Sequence, residues 1–261
     1  YGESIDSLTE IRNVLQLAEV NSTEMTANQR RENTRNPRLL VLMKRLGYLS
    51  NQVDVPHANF LDESLADFEY LSAAPPQDGT FSNLLFEHMI FYPIYDMGEH
   101  EDSIAFILGQ FDYAAKSTEL SSSGLFTIGY FSFPHFPFRF NQEGEPIPET
   151  ETHNVRNPDN YKGQYIFAST KILELVDTIQ TEDPAGIVIL QSDHGFRFPN
   201  YLHDWYGDKR FFLAAEAQYQ KNILNAIYTP RTKIDIEGLN NIETLKKVLD
   251  IEFDIQIDHE K

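Results

Sequence analysis

The ten residues Gly186-Ile187-Val188-Ile189-Leu190-Gln191-Ser192-Asp193-His194-Gly195 constrain this chain more than any other stretch. An apolar run rich in β-branched side chains is followed at once by polarity and glycine. A buried parallel strand has this pattern where it emerges at its carboxyl end, and open α/β sheets hold ligands there. Asp193 and His194 then fall on the strand-to-loop turn, and Gly195 lets the backbone bend close to whatever binds. A carboxylate beside an imidazole suits Zn²⁺ or Mn²⁺. An isolated Asp-His pair would more simply hydrogen-bond its own loop. After this strand and before glycine, the ligand site is the better reading.

The chain has 261 residues, suited to one large domain or two small ones, and 41% are hydrophobic, which suffices to fill a core. We find no internal repeat, low-complexity tract, signal peptide or apolar run long enough to span a bilayer. Because it opens at Tyr1 without methionine, it is expected to be a processed product or a piece of a longer chain. A formal charge of −19 and a pI near 4.7 argue against nucleic acid and against electrostatic docking on anionic lipid. Zero cysteine removes disulfides, thiolate metal sites and thiol nucleophiles, and leaves the redox compartment open.

Along the chain, Ile5, Leu8, Ile11, Val14, Leu15 and Ala18 recur at helical spacing and predict a helix over 5–19. Its start is either the Ser7-to-Glu10 capping box or Ser4 one turn earlier. The polar segment 21–36 reads as an exposed loop or short helix, and 38–47 as a helix opened near Pro37, stopped at Gly47 and followed by a short strand. An irregular excursion over 51–80 carries a short helix near 62–71, and helices follow at 81–95 and 101–118. Alternating aromatic and β-branched residues predict a strand over 125–133, ending in Pro134-His135-Phe136-Pro137-Phe138. A long loop at 139–160 precedes a helix at 160–180, with Ile166, Ser169, Leu173, Val176 and Ile179 along or near one face. The strand at 186–192, a helix or loop at 209–220, a strand at 222–229 and a last helix at 242–251 complete the chain, before a short terminal segment open to pairing. Strands alternating with helices point to one α/β domain with a mostly parallel sheet.

Leu190-Gln191-Ser192-Asp193-His194-Gly195 resembles the C-terminal metal motif of the alkaline phosphatase superfamily. Within it the chain is most similar to the sulfatase-like hydrolases and transferases of bacterial envelopes, including phosphoglycerol and phosphoethanolamine transferases. The resemblance implies a three-layer α/β/α sandwich over 1–261. It also implies a divalent metal (Mn²⁺, Mg²⁺ or Zn²⁺) and a phosphorylated small-molecule, lipid-headgroup or glycan substrate. The location is then extracytoplasmic, in a parent anchored to the membrane by a segment outside this chain. Without cysteine there is no cysteine-derived formylglycine, and no Ser-x-Pro/Ala-x-Arg pattern replaces it, so "sulfatase" describes fold rather than activity.

Each site residue has a functional and a plainer reading. Asp193 and His194 match the family's metal-binding Asp-His. His135 matches a histidine that contacts the substrate phosphate, its flanking prolines fixing the backbone; the plainer reading is a half-polar core residue among Phe133, Phe136 and Phe138. Tyr1-Gly2-Glu3-Ser4-Ile5-Asp6-Ser7-Leu8 resembles the family's Tyr-Pro-Gln-Thr-x-x-Ser-Leu, with Ser4 where the nucleophile and metal ligand stands. Gly2 and Glu3 depart from that pattern. A helix N-terminus favours an alkoxide and binds phosphate, but a plain helix cap calls for the same residue type. Arg197 is a phosphate clamp or a solvated surface arginine. His57, His88, His100, His153 and His203 have no spacing that singles them out. The family's first strand, with its Asp ligand, would precede Tyr1. The expected function is a metal-dependent phosphoryl or phosphodiester transferase or hydrolase. The alternative is an inactive relative serving as a glycan- or headgroup-binding or assembly module.

Overall fold

The computed structural model describes residues 13–18, 37–53, 66–70, 100–121, 124–131, 133–135, 137–154, 157–193, 195 and 223–257. Within them the order is α1 (Arg38–Arg45), β1 (Leu49–Val53), β2 (Phe68–Glu69), α2 (His100–Lys116) and β3 (Leu125–Gly129). Then come α3 (Pro158–Glu182), β4 (Val188–Gln191), β5 (Asn225–Tyr228) and α4 (Asn241–Phe253). The chain is mixed α/β, with two small sheets among the described residues: β2-β1-β3, and β4 paired with β5. The predicted elements at 21–36, 81–95 and 209–220 lie outside the described residues.

The chain divides into two compact units. One gathers the described residues within 1–50, 58–66 and 180–261; the other gathers those within 51–57 and 67–179. In the first unit, residues 13–16 are helical and the chain turns at Leu17 (φ 56°), closing the predicted 5–19 helix three residues early. Pro37 supplies the fixed φ that opens α1, and Gly47 (φ 87°) ends it in the left-handed conformation that glycine adopts without steric cost. α1 buries Leu39, Leu40 and Met43, and α4 buries Ile242, Leu245, Val248 and Leu249. α4 begins with a capping box: Asn240 Oδ1 accepts from Glu243 N–H, and Glu243 Oε2 accepts from Asn240 N–H. Asp254 (φ 55°) ends it, and residues 254–257 lie outside any strand.

The second unit packs around rings. Val53, Phe111, Ala114, Phe133, Phe140, Ala168 and Leu175 form one buried cluster, edged by Tyr70, Phe131, Phe167 and Ile172. Phe111 stacks on Phe131 (centroids 4.6 Å apart), and Phe133 meets Phe140 edge-on at 5.4 Å. β1 is the middle strand and carries buried amides. Asn51 is satisfied on both sides, donating to Thr127 Oγ1 (3.2 Å) and accepting from the Tyr113 hydroxyl (2.8 Å).

Four expectations change. β4 is half-buried and pairs antiparallel with β5, Val188 opposite Tyr228 and Gln191 opposite Asn225. An apolar run signals burial on two faces and carries nothing about strand direction; β1 and β2, by contrast, pair in parallel. Around 62–71, the described residues 66–70 carry β2 rather than a helix, because Tyr70 N–H bonds Gln52 O (2.9 Å) and pulls the segment onto β1. β3 ends at Gly129, four residues early: Phe131 and Phe133 keep packing inward, but the chain turns at Pro134. α3 occupies the predicted place, yet its buried residues are Asn160, Gly163, Gln164, Ala168 and Leu175, while Leu173 is 64% exposed. A Cβ on Gly163 would lie 3.1 Å from Gln142 N, so small residues mark where this helix meets the loop before it. Of the predicted stripe, Ile179 packs against the ring cluster while Ile166 and Leu173 are exposed.

Candidate functional site

Two strand ends carry the described candidate residues, Asp193 in the first unit and His135 in the second. His194, Ser4 and Arg197 lie outside the described residues.

β4 starts from an Asx turn, in which Asp183 Oδ1 accepts from Ala185 N–H and Asp183 O from Gly186 N–H. At its carboxyl end the antiparallel ladder gives way to side chains. Ser192 N–H bonds Leu224 O (2.9 Å), and Leu224 N–H returns to Ser192 Oγ (2.8 Å). Gln191 Nε2 reaches Asn225 Oδ1 (3.2 Å) and Asn241 O (2.9 Å), and Asn225 Nδ2 reaches Leu239 O (3.1 Å) and Thr244 Oγ1 (2.8 Å). Asn241, the first residue of α4 and 5% exposed, donates Nδ2 to Ser192 O (3.0 Å). Its Oδ1 is buried and has no hydrogen-bond partner among the described residues. The residue before Asp193 is therefore held from β5 and from α4, and Asp193 follows half-buried.

The turn after β3 is built differently. Phe133, Phe138, Arg139 and Phe140 are buried, while His135 is exposed. Gln164 of α3, fully buried, donates Nε2 to Pro134 O (3.1 Å) and His135 O (2.9 Å), and its Oε1 accepts from Arg139 N–H (2.6 Å). Phe138 N–H bonds Thr152 O (2.7 Å), joining the turn to the 139–160 loop. That loop is ordered over its described part: Phe140 bridges Pro146, and Asn141 Oδ1 accepts from the N–H groups of Glu143 and Glu145. Near its end the Glu151 carboxylate accepts from Asn154 Nδ2 (2.8 Å) and Asn160 Nδ2 (3.3 Å), and these bonds hold its pKa below the usual carboxylate value. Burial, with the Tyr165 hydroxyl nearby, pushes the Tyr161 hydroxyl up.

The exposure of His135 removes the half-polar-core reading of that residue and puts its imidazole where a ligand can reach it. Among the described residues, no group of three or more His, Asp or Glu could hold a metal ion. Near the end of β4 the chain carries the half-buried Asp193 carboxylate and, bonded through its nitrogen to Ser192 O, the Asn241 amide; carboxylate and amide oxygens are the hard donors that suit Mn²⁺ or Mg²⁺. An open depression of about 290 Å³, lined by Ile227 to Ile234, lies past the far end of β5 from that turn.

Sequence reasoning passed over Gln164 and Asn241. Both are amides on helices otherwise read for their apolar period, and the one available signal was a polar residue within two positions of a small or β-branched core residue. No protein-family model, curated protein or solved structure matches the chain.

Proposed function

We propose that this chain is the sulfatase-like part of a metal-dependent phosphoryl or phosphodiester transferase or hydrolase, acting on a phosphorylated lipid headgroup or envelope glycan. The two small sheets and their helices are then parts of a three-layer α/β/α sandwich, in a parent anchored to the membrane and facing out of the cytoplasm. The observation that carries this reading is Asp193, set at the carboxyl end of β4 on a turn gripped from β5 and α4.

Asp193 and His194 would hold the divalent ion with Ser4, and the bound ion would supply positive charge to offset a phosphate ester's repulsion from this acidic chain. The Ser4 hydroxyl attacks phosphorus and its proton goes to solvent; the Ser4–phosphorus bond forms as the bond to the leaving alcohol breaks. Water or an acceptor alcohol then displaces Ser4. Arg197 pairs with a non-bridging oxygen, and the exposed His135 imidazole can donate a hydrogen bond to a phosphoryl oxygen.

The test is hydrolysis of bis(p-nitrophenyl) phosphate with Mn²⁺. Turnover lost in both Asp193→Ala and Ser4→Ala supports the assignment. Turnover that survives Asp193→Ala overturns it. Binding of glycerol 1-phosphate without turnover leaves the binding-module reading.

A further inference from the structure

Gln164 and His135 are linked by more than packing. Gln164 lies on α3, is fully buried, and directs its side-chain hydrogen bonds to the turn that carries His135. Its two donated bonds fix the carbonyls of Pro134 and His135, and its accepted bond fixes the amide of Arg139, four residues on. One planar amide thus grips the main chain at and after the histidine while the histidine itself stays exposed. The grip is itself anchored. Gly163 lets α3 approach Gln142 and Asn141 closely, and Ala168, on the same side of the helix, lies in the ring cluster with Phe133 and Phe140. An apolar side chain of the same length would fill the space but remove all three of these hydrogen bonds.

We propose that Gln164 is a positioning residue for His135: it fixes the turn so that the imidazole is presented to a phosphoryl oxygen without first having to be ordered. This rests on His135 being the phosphate contact proposed above. A ligand-binding group held in advance loses less freedom on binding, so the gain should appear in affinity for the phosphate group.

The experiment compares the wild type, Gln164→Met, His135→Ala and the double variant, using inorganic phosphate as the probe and the His135 ring resonances or, where the ring is removed, calorimetry as the readout. Gln164→Met is expected to weaken phosphate binding about tenfold, the scale of one hydrogen bond to a charged group. The double variant should bind no more weakly than His135→Ala alone, because Gln164 acts through the ring it positions. Losses that add would show Gln164 to be a general core residue and overturn the proposal. Backbone order parameters over 135–139 give a reading independent of phosphate: they should fall in Gln164→Met, and an unchanged turn overturns the proposal. If phosphate leaves the wild-type His135 resonances unmoved, the phosphate role of His135 fails, and the order parameters alone decide whether Gln164 sets the turn. Should Gln164→Met not fold, Gln164→Asn keeps the amide but retracts it by one methylene, and the same two readouts apply.

Discussion

The turn after β3 is gripped by one side chain from a 25-residue helix and seated on a bed of rings, whereas the turn after β4 is stitched by small amides and hydroxyls. At the first, the amide of Gln164 is paired through both its oxygen and its nitrogen, and the candidate side chain is exposed. At the second, Asn241 Oδ1 stays unpaired among the described residues and Asp193 is half-buried beside the network. An aromatic bed gives a rigid mount for an exposed contact. A polar bed leaves a buried acceptor unsatisfied among the described residues, and a polar partner or a water suits it better than an apolar wall would.

Substitutions should separate the two mounts. Phe140→Ala empties a fully buried ring site that meets Phe133 and Phe167, and should cost about 3–5 kcal/mol in urea unfolding. A loss below about 1 kcal/mol would mean that the rings do not carry the second unit. Gly144→Ala comes next. Gly144 has φ 83°, and a Cβ there would overlap the Phe167 ring, so left-handed strain and overpacking should together cost about 2–4 kcal/mol. A near-neutral result would show that the loop tip is free to move off α3. At the polar mount, Asn241→Ala removes one bond to Ser192 O and one unpaired buried acceptor at once, so the two effects oppose and the net loss should be about 1 kcal/mol or less. A loss as large as that of Phe140→Ala would erase the contrast between the mounts.

The smallest effect is a pH dependence. Bonds from Asn154 and Asn160 depress the pKa of Glu151 in the folded chain. Its stabilisation is therefore present above the unfolded carboxylate value and is lost as pH falls through the lower, folded value. Urea midpoints of the wild type and Glu151→Gln, followed from neutral pH into the acid range, should converge towards the acid end. Parallel curves would show that Glu151 does not help to hold the 139–160 loop.

What the sequence made legible follows from which forces are local. Pro37 and Gly47 bound α1 as expected because the fixed φ of proline and the positive φ of glycine are properties of single residues. α3 and α4 fell where their periodicity predicts, α4 beginning one residue before Ile242 because the Asn240 box claims Asn241 as its first helical residue. The turn at Asp193 was legible because loss of β-branched apolar character marks a strand's end whatever its direction. The antiparallel partner of β4 was not, since pairing is decided by a segment far along the chain. Nor was the strand within 66–70, whose two residues are extended through bonds to β1 rather than by their own propensity. The buried side of α3 was misjudged in part, for a related reason. Close approach there selects Gly163, Gln164 and Ala168, and a hydropathy reading gives such residues little weight.

The most direct test of the central claim is a calorimetric titration with Mn²⁺ and Zn²⁺ of the wild type and Asp193→Ala. A specific binding event is expected in the wild type, and it should disappear in the variant. Equal binding by the two proteins, or no binding by either, would contradict a metal site at the end of β4.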